Sequence, residues 1–134
     1  MRRPLDGGHA ALPPVHAAVA RNNIRDGSRS RATGPPRDAI VCGDFNRAYG
    51  SDAYRQFLAP LGSAPGFVDA WAALHPERTP PPTAGVYDTV QWSEGPLTCD
   101  FVFVTETLLP RVTRCEIDGD VRASDHQPIV LELD

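Results

Sequence analysis

Asp44 and Asn46 stand two apart in Gly43-Asp44-Phe45-Asn46, directly after the apolar run Ala39-Ile40-Val41-Cys42. That run, bounded upstream by Pro35-Pro36, predicts a short buried strand ending on a carboxylate and a carboxamide. If the extension continues, the two polar side chains share one side and Phe45 turns to the other. A carboxylate that accepts and an amide that donates suit a water nucleophile and a phosphoryl oxygen. The same four residues also suit an ordinary turn, where Asp, Asn and Gly are common. Two later stretches add weight to the chemical reading. Asp100 opens Cys99-Asp100-Phe101-Val102-Phe103-Val104-Thr105, a charge at the head of an otherwise apolar strand, which is costly unless paired. Asp125 and His126 lie in Ser124-Asp125-His126-Gln127-Pro128, just before the closing strand 129–133.

The elements must bring these residues together. The strand of residues 99–105 is apolar on both faces beyond Asp100 and reads as central, covered on both sides. If it runs antiparallel to 39–45, Asp44 and Asp100 meet at one edge. The start of the last strand reaches that edge if it runs parallel to the Asp100 strand, with 111–117 returning between or beside them. Asp44, Asn46, Asp100, Asp125 and His126 then line one cleft. Three ionised carboxylates there repel one another unless a cation and a histidinium relieve them. Oxygen ligands with few thiols favour magnesium, with manganese as the alternative, over zinc.

The scaffold is legible in part. Ser51 caps a helix in which Tyr54, Phe57 and Leu58 form an inward stripe. Asp69 is placed to cap a turn through Trp71 to Leu74. Residues 76–85 are rich in proline and read as a surface excursion. Residues 86–92 read as an irregular strand. Residues 111–117 alternate as a more exposed strand, with Val112, Arg114 and Glu116 on one side.

The chain has 134 residues, 41% of them hydrophobic and 22% charged, which is the profile of one globular domain. No apolar run is long enough for a membrane span, and the start, with Asp6, Gly7 and Gly8 among its first residues, is a poor signal peptide. Cys42, Cys99 and Cys115 form no CxxC pair, which argues against structural zinc. Two of them read as small buried thiols in strands, and the odd count points to a reducing compartment, with the cytoplasm the expected location. Residues 1–38 carry seven arginines (2, 3, 21, 25, 29, 31, 37) against three aspartates (6, 26, 38). They read as an Arg/Gly/Pro-rich, poorly ordered segment with a short helix at 15–24, separate from the domain at 39–134. Such a basic segment could also touch nucleic acid phosphates.

Taken in this order, the stretches around Asp44, Asp100 and Asp125-His126 resemble the endonuclease/exonuclease/phosphatase superfamily, the magnesium-dependent, deoxyribonuclease-like group. The resemblance covers 39–134 well and 1–38 poorly. It implies an α/β fold forming part of a four-layer α-β-β-α sandwich, and a hydrolase acting on phosphodiesters or phosphomonoesters, an endonuclease among the options. Residue by residue, it implies that Asp44 orients or deprotonates the attacking water and Asn46 holds the phosphate. His126 stabilises transition-state charge, Asp100 fixes His126, and Asp125 helps hold the metal. The basic residue that often precedes the second aspartate is replaced by Cys99. No glutamate precedes Glu77, so the family's early metal-binding glutamate has no counterpart.

The chain therefore reads as the C-terminal half of the fold: a fragment or shifted start, a shortened protein, or one subunit of a sandwich completed by a second chain. Each leaves the active site incomplete and the chain inactive alone, and each exposes apolar surface that invites self-association. The competing readings are a non-catalytic remnant used for binding or assembly, and a nucleic-acid binder using residues 1–38.

Overall fold

The computed structural model describes residues 37–60, 62–64 and 66–134. The expected helix at 15–24 and the arginine-rich loop lie outside the described residues. Strand β3 (Asp100–Thr105) is the central strand of a three-stranded antiparallel sheet. On one side it pairs with β1 (Ile40–Asp44), in register from Ile40↔Val104 to Asp44↔Asp100. On the other it pairs with β2 (Phe67–Asp69), from Phe67↔Thr105 to Asp69↔Phe103. The expected antiparallel arrangement is present, and it puts Asp44 directly opposite Asp100. Strand β1, however, is exposed along most of its length rather than buried, and Cys42 with it. Among the described residues it pairs on one side only, so half of its backbone groups face outward.

The two faces of β3 explain its uniformly apolar sequence. Phe101 and Phe103 pack against Tyr54 and Phe57 of helix α1 (Asp52–Leu58), with Phe45, Tyr49 and Phe67 around them. The rings of Phe57 and Phe103 lie 4.4 Å apart. Val102 and Val104 face the other way, into a core with Trp71, Leu108, Val112 and Cys115. That core is closed by helix α2 (Ala70–Leu74) and by a second sheet of β4 (Val112–Ile117) and β5 (Ile129–Leu133). Both faces of the central strand are thus covered, and Val104 is fully buried. The apolar surface expected to be exposed in a half-fold is therefore not on β3, whose second face this sheet covers. The last strand also does not join the Asp100 sheet; among the described residues it pairs antiparallel with β4 alone. Among the described residues the result is an α/β fold with two sheets and two helices.

Local signals carry much of this. Ser51 Oγ accepts from the Tyr54 amide at 3.3 Å and starts α1, and Asp69 Oδ1 accepts from the Ala72 amide at 3.1 Å and starts α2. Tyr54 donates its hydroxyl to Asp69 Oδ2 at 3.0 Å, tying the two helices together. In β4 the expected alternation fails. An irregularity between Val112 and Arg114 shifts the phase, so that Val112 and Cys115 both turn inward while Arg114 is exposed. Residues 86–92 form turns rather than a strand. Asp88 organises them, its Oδ1 accepting from the amides of Val90 and Gln91. The proline-rich excursion dips into the fold: Pro80 and Thr83 are buried, and Ala84 bridges to both Leu97 and His126.

Candidate active site

The edge where β1 ends and β3 begins carries the polar set. Asp44, exposed, curls back on its own turn, its Oδ1 accepting from the Asn46 amide at 2.7 Å. Asn46 has φ 51, in the left-handed region that asparagine tolerates better than most residues. The extension therefore does not persist to residue 46, and the expected side-by-side presentation of Asp44 and Asn46 becomes a tight turn.

Asp100 and His126 form the centre. His126 Nδ1 lies 2.9 Å from Asp100 Oδ2, and the Thr83 hydroxyl donates to the same oxygen at 2.7 Å. Thr83 is fully buried, and its hydroxyl oxygen also accepts from the Cys99 and Asp100 amides, each at 3.0 Å. One donor and two acceptor positions are all a hydroxyl has, so Thr83 is saturated and fixes the Asp100 carboxylate from behind. His126 is held in turn by its backbone, which donates to Ser124 Oγ at 3.1 Å, and by the bridge to Ala84. The ring's other nitrogen, Nε2, is 4.0 Å from Asp125 Oδ2. The hydrogen bond that the ring donates to Asp100 is the largest influence on it. It raises the histidine pKa above its ordinary value against a smaller opposing effect of burial, and the charges of Asp100, Asp125 and Asp44 add to the rise. The site therefore favours an imidazolium.

Asp125 is partly exposed. Its Oδ2 accepts from Gln91 Nε2 at 3.2 Å and Trp92 Nε1 at 3.4 Å, and its Oδ1 has the Ser124 hydroxyl at 3.4 Å. Trp92 also stands edge-on to the His126 ring, with centroids 5.7 Å apart. Its place depends on Gly85, which has φ +72; a Cβ there would fall 2.6 Å from Trp92 Cγ. Gly85 also donates its amide to the Asp125 carbonyl at 2.9 Å. Thr83, Gly85 and Gln91 are supporting residues that the sequence did not single out. Nothing in a threonine after three prolines distinguishes it from Thr79, since the run has no periodicity to set an inward face.

Cys99, Asp100 and His126 also bring one ligand atom each within 4.8 Å of one another, a cluster able to hold a metal ion. Burial, with the neighbouring carboxylates, pushes the Cys99 thiol up to about 12.

The model of the Endonuclease/Exonuclease/phosphatase family matches residues 2–126. The chain belongs to this family. The match begins at residue 2, so it takes in the N-terminal segment that the sequence motifs left poorly covered. Among solved structures, the chain is similar to the Xenopus laevis APE2 catalytic domain, with a TM-score of 0.54 and 19% sequence identity. That similarity covers 71% of this chain but 36% of the APE2 domain, and at this identity it shows a shared fold. No curated protein matches the chain. Family membership and the clustered Asp, His and Cys ligands together support a metal-dependent phosphoesterase-like site.

Proposed function

We propose that this chain carries the C-terminal catalytic portion of a magnesium-dependent hydrolase of phosphate esters. The observation that carries the reading is the Asp100–His126 pair, 2.9 Å apart and braced by Thr83, at the edge where Asp44 stands opposite Asp100. Asp100 orients the ring and favours its protonated form, leaving Nε2 as a cationic donor for a nonbridging phosphoryl oxygen. Charge on those oxygens is what a positioned donor stabilises at the transition state. Asp44 orients or deprotonates the attacking water, and Asn46, on the adjacent turn, holds the phosphate. The donor set fits a hard divalent ion at Asp125, whose Oδ1 is engaged only by the Ser124 hydroxyl at 3.4 Å among the described residues. Magnesium, or manganese in its place, supplies Lewis-acid charge to the phosphoryl group when bound.

The two stacked sheets with α1 on one outer face are three layers of the four-layer α-β-β-α sandwich that we infer for the whole fold. One carboxylate is a poor magnesium cage, and the chain spans 36% of the APE2 domain it resembles. We therefore infer that the chain alone is inactive and needs further family segments, in the same or a second chain. Three free cysteines fit a reducing location, for which the cytoplasm is our reading, and no helix among the described residues is long and apolar enough to cross a membrane. Phosphodiester and phosphomonoester substrates, nucleic acid included, are all compatible with the site. The test is hydrolysis of both ester types by a version extended with the missing segments, with and without magnesium. Metal-dependent turnover lost in H126A supports the reading; turnover indifferent to Asp44, Asp100 and His126 points to a binding or assembly role instead.

A further inference from the structure

We propose that Cys99, Asp100 and His126 form a second cation site, selective for zinc over magnesium, and that filling it dismantles the Asp100–His126 pair. Two segments supply the ligands: Cys99 and Asp100 at the entry to β3, and His126 ahead of β5. Cys99 Sγ is 3.6 Å from Asp100 Oδ2, and His126 Nδ1 is 2.9 Å from the same oxygen. Zinc–ligand bonds of about 2.0–2.3 Å in a tetrahedron place neighbouring ligand atoms roughly 3.3–3.7 Å apart. The sulfur–oxygen edge already has that length; a small turn of the ring lengthens the nitrogen–oxygen edge by a few tenths of an ångström and draws in the sulfur–nitrogen edge, which lies within 4.8 Å. Thiolate, imidazole and carboxylate are a donor set for zinc, whereas magnesium demands oxygen. Cys99 is buried, but Asp100 and His126 are partly open, so the cation enters from their side.

The exchange balances. The S–H of Cys99 and the Nδ1–H of a protonated His126 both point at Asp100 Oδ2. Zinc replaces both hydrogens: the thiol leaves as thiolate, the imidazolium becomes a neutral ring protonated on Nε2, and two protons go to solvent. Two positive charges leave and two arrive. A water completes the fourth position, and Thr83 continues to hold the carboxylate. With His126 bonded to zinc and neutral, the cationic donor described above is gone. That consequence rests on the hydrolase reading; the site itself does not.

The test uses no substrate, so its failure is separate from failure of the hydrolase reading. The 134-residue chain is titrated with zinc against a chromogenic chelator and with cobalt, whose thiolate charge-transfer band reports a sulfur ligand. One site per chain is expected, with protons released as zinc binds. C99S and H126A should each weaken zinc binding at least as much as the ~10–100-fold that outer-shell partners command, while C42S leaves it unchanged. Thermal melts of each variant show that it is folded; if C99S is not, the cobalt band and H126A decide. Absence of the band, binding retained in folded C99S or in H126A, or loss of binding in C42S overturns the site.

Discussion

At the scale of single residues, the site turns on one oxygen, Asp100 Oδ2, which takes a threonine hydroxyl and a histidine nitrogen at once. Asp100, Asp125 and His126 stood out in the sequence as candidates because polar residues at the ends of apolar strands are conspicuous against their surroundings. The meeting of Asp44 and Asp100 was legible too, since antiparallel pairing of their strands was the simplest arrangement; the expected route for His126, a last strand parallel to that of Asp100, is not the one the fold takes, because β5 pairs with β4. Thr83 was not, because its role comes from a loop whose path no periodicity reveals, and Asn46 was misplaced because one left-handed residue redirects its side chain. In an active extended enzyme, removing the imidazole with H126A should lower kcat by about 10²–10³, as for loss of one preorganised donor, with little change in KM. D100N keeps a hydrogen-bonding group but loses the charge that raises the histidine pKa. Because the protonated ring is the working form, activity falls as pH rises through that pKa. D100N should therefore move the descending limb of the pH–rate profile to lower pH. A limb that stays in place in D100N separates the histidine from the rate.

At the scale of elements, capping was read correctly from Ser51 and Asp69, since a cap needs only a local side chain and nearby free amides. The sequence did not show that Asp69 would be buried and bonded to Tyr54 across two helices, a contact fifteen residues apart. Burial raises the Asp69 pKa, and its hydrogen bonds from Ala72, Tyr54 and Trp71 pull the other way. Tyr54→Phe should cost about 1–3 kcal/mol at neutral pH, the penalty for leaving a buried polar group short of a partner. It should raise the Asp69 pKa further. A raised folded-state pKa gives stability that is full below the unfolded value and lost as pH rises through the folded one. The gap between Y54F and the parent should thus narrow on acidification, as denaturant melts at several pH values would show. A gap constant with pH means that the hydroxyl does not serve the carboxylate. Gly85→Ala tests the loop that the sequence misread. It forces a side chain into a left-handed backbone and against Trp92, at about 1–3 kcal/mol of strain. In a W71F background, the emission of Trp92 should shift as the ring leaves Asp125; an unchanged spectrum and melt mean that the loop yields without moving the tryptophan.

At the scale of the whole molecule, the central strand was recognisable because four consecutive apolar residues need cover on both faces. What covers the second face was not, because β4 and β5 pair with each other rather than with β3, and an edge pairing leaves no periodic trace in a single strand. Any self-association of the chain is expected at the edge of β1, where Ile40 is 44% exposed and, among the described residues, the outward backbone groups can accept another strand. Ile40→Lys should suppress any concentration-dependent sedimentation of the chain, and association that survives it lies elsewhere. Magnesium affinity follows from the same incompleteness. Asp125 is the single direct carboxylate proposed for the ion, and two of its side-chain partners, Gln91 and Trp92, already occupy Oδ2. Magnesium sheds water reluctantly and is usually held by one or two carboxylates together with substrate phosphates. The chain alone should therefore bind magnesium weakly, and D125A should abolish what binding there is. Zinc, drawn to the thiol, should bind more tightly and tolerate D125A. Calorimetry with both ions on both proteins separates the sites. A tight magnesium site lost in D125A would show that these 134 residues already complete the cage, and the inference that the chain needs further segments for activity would fall with it.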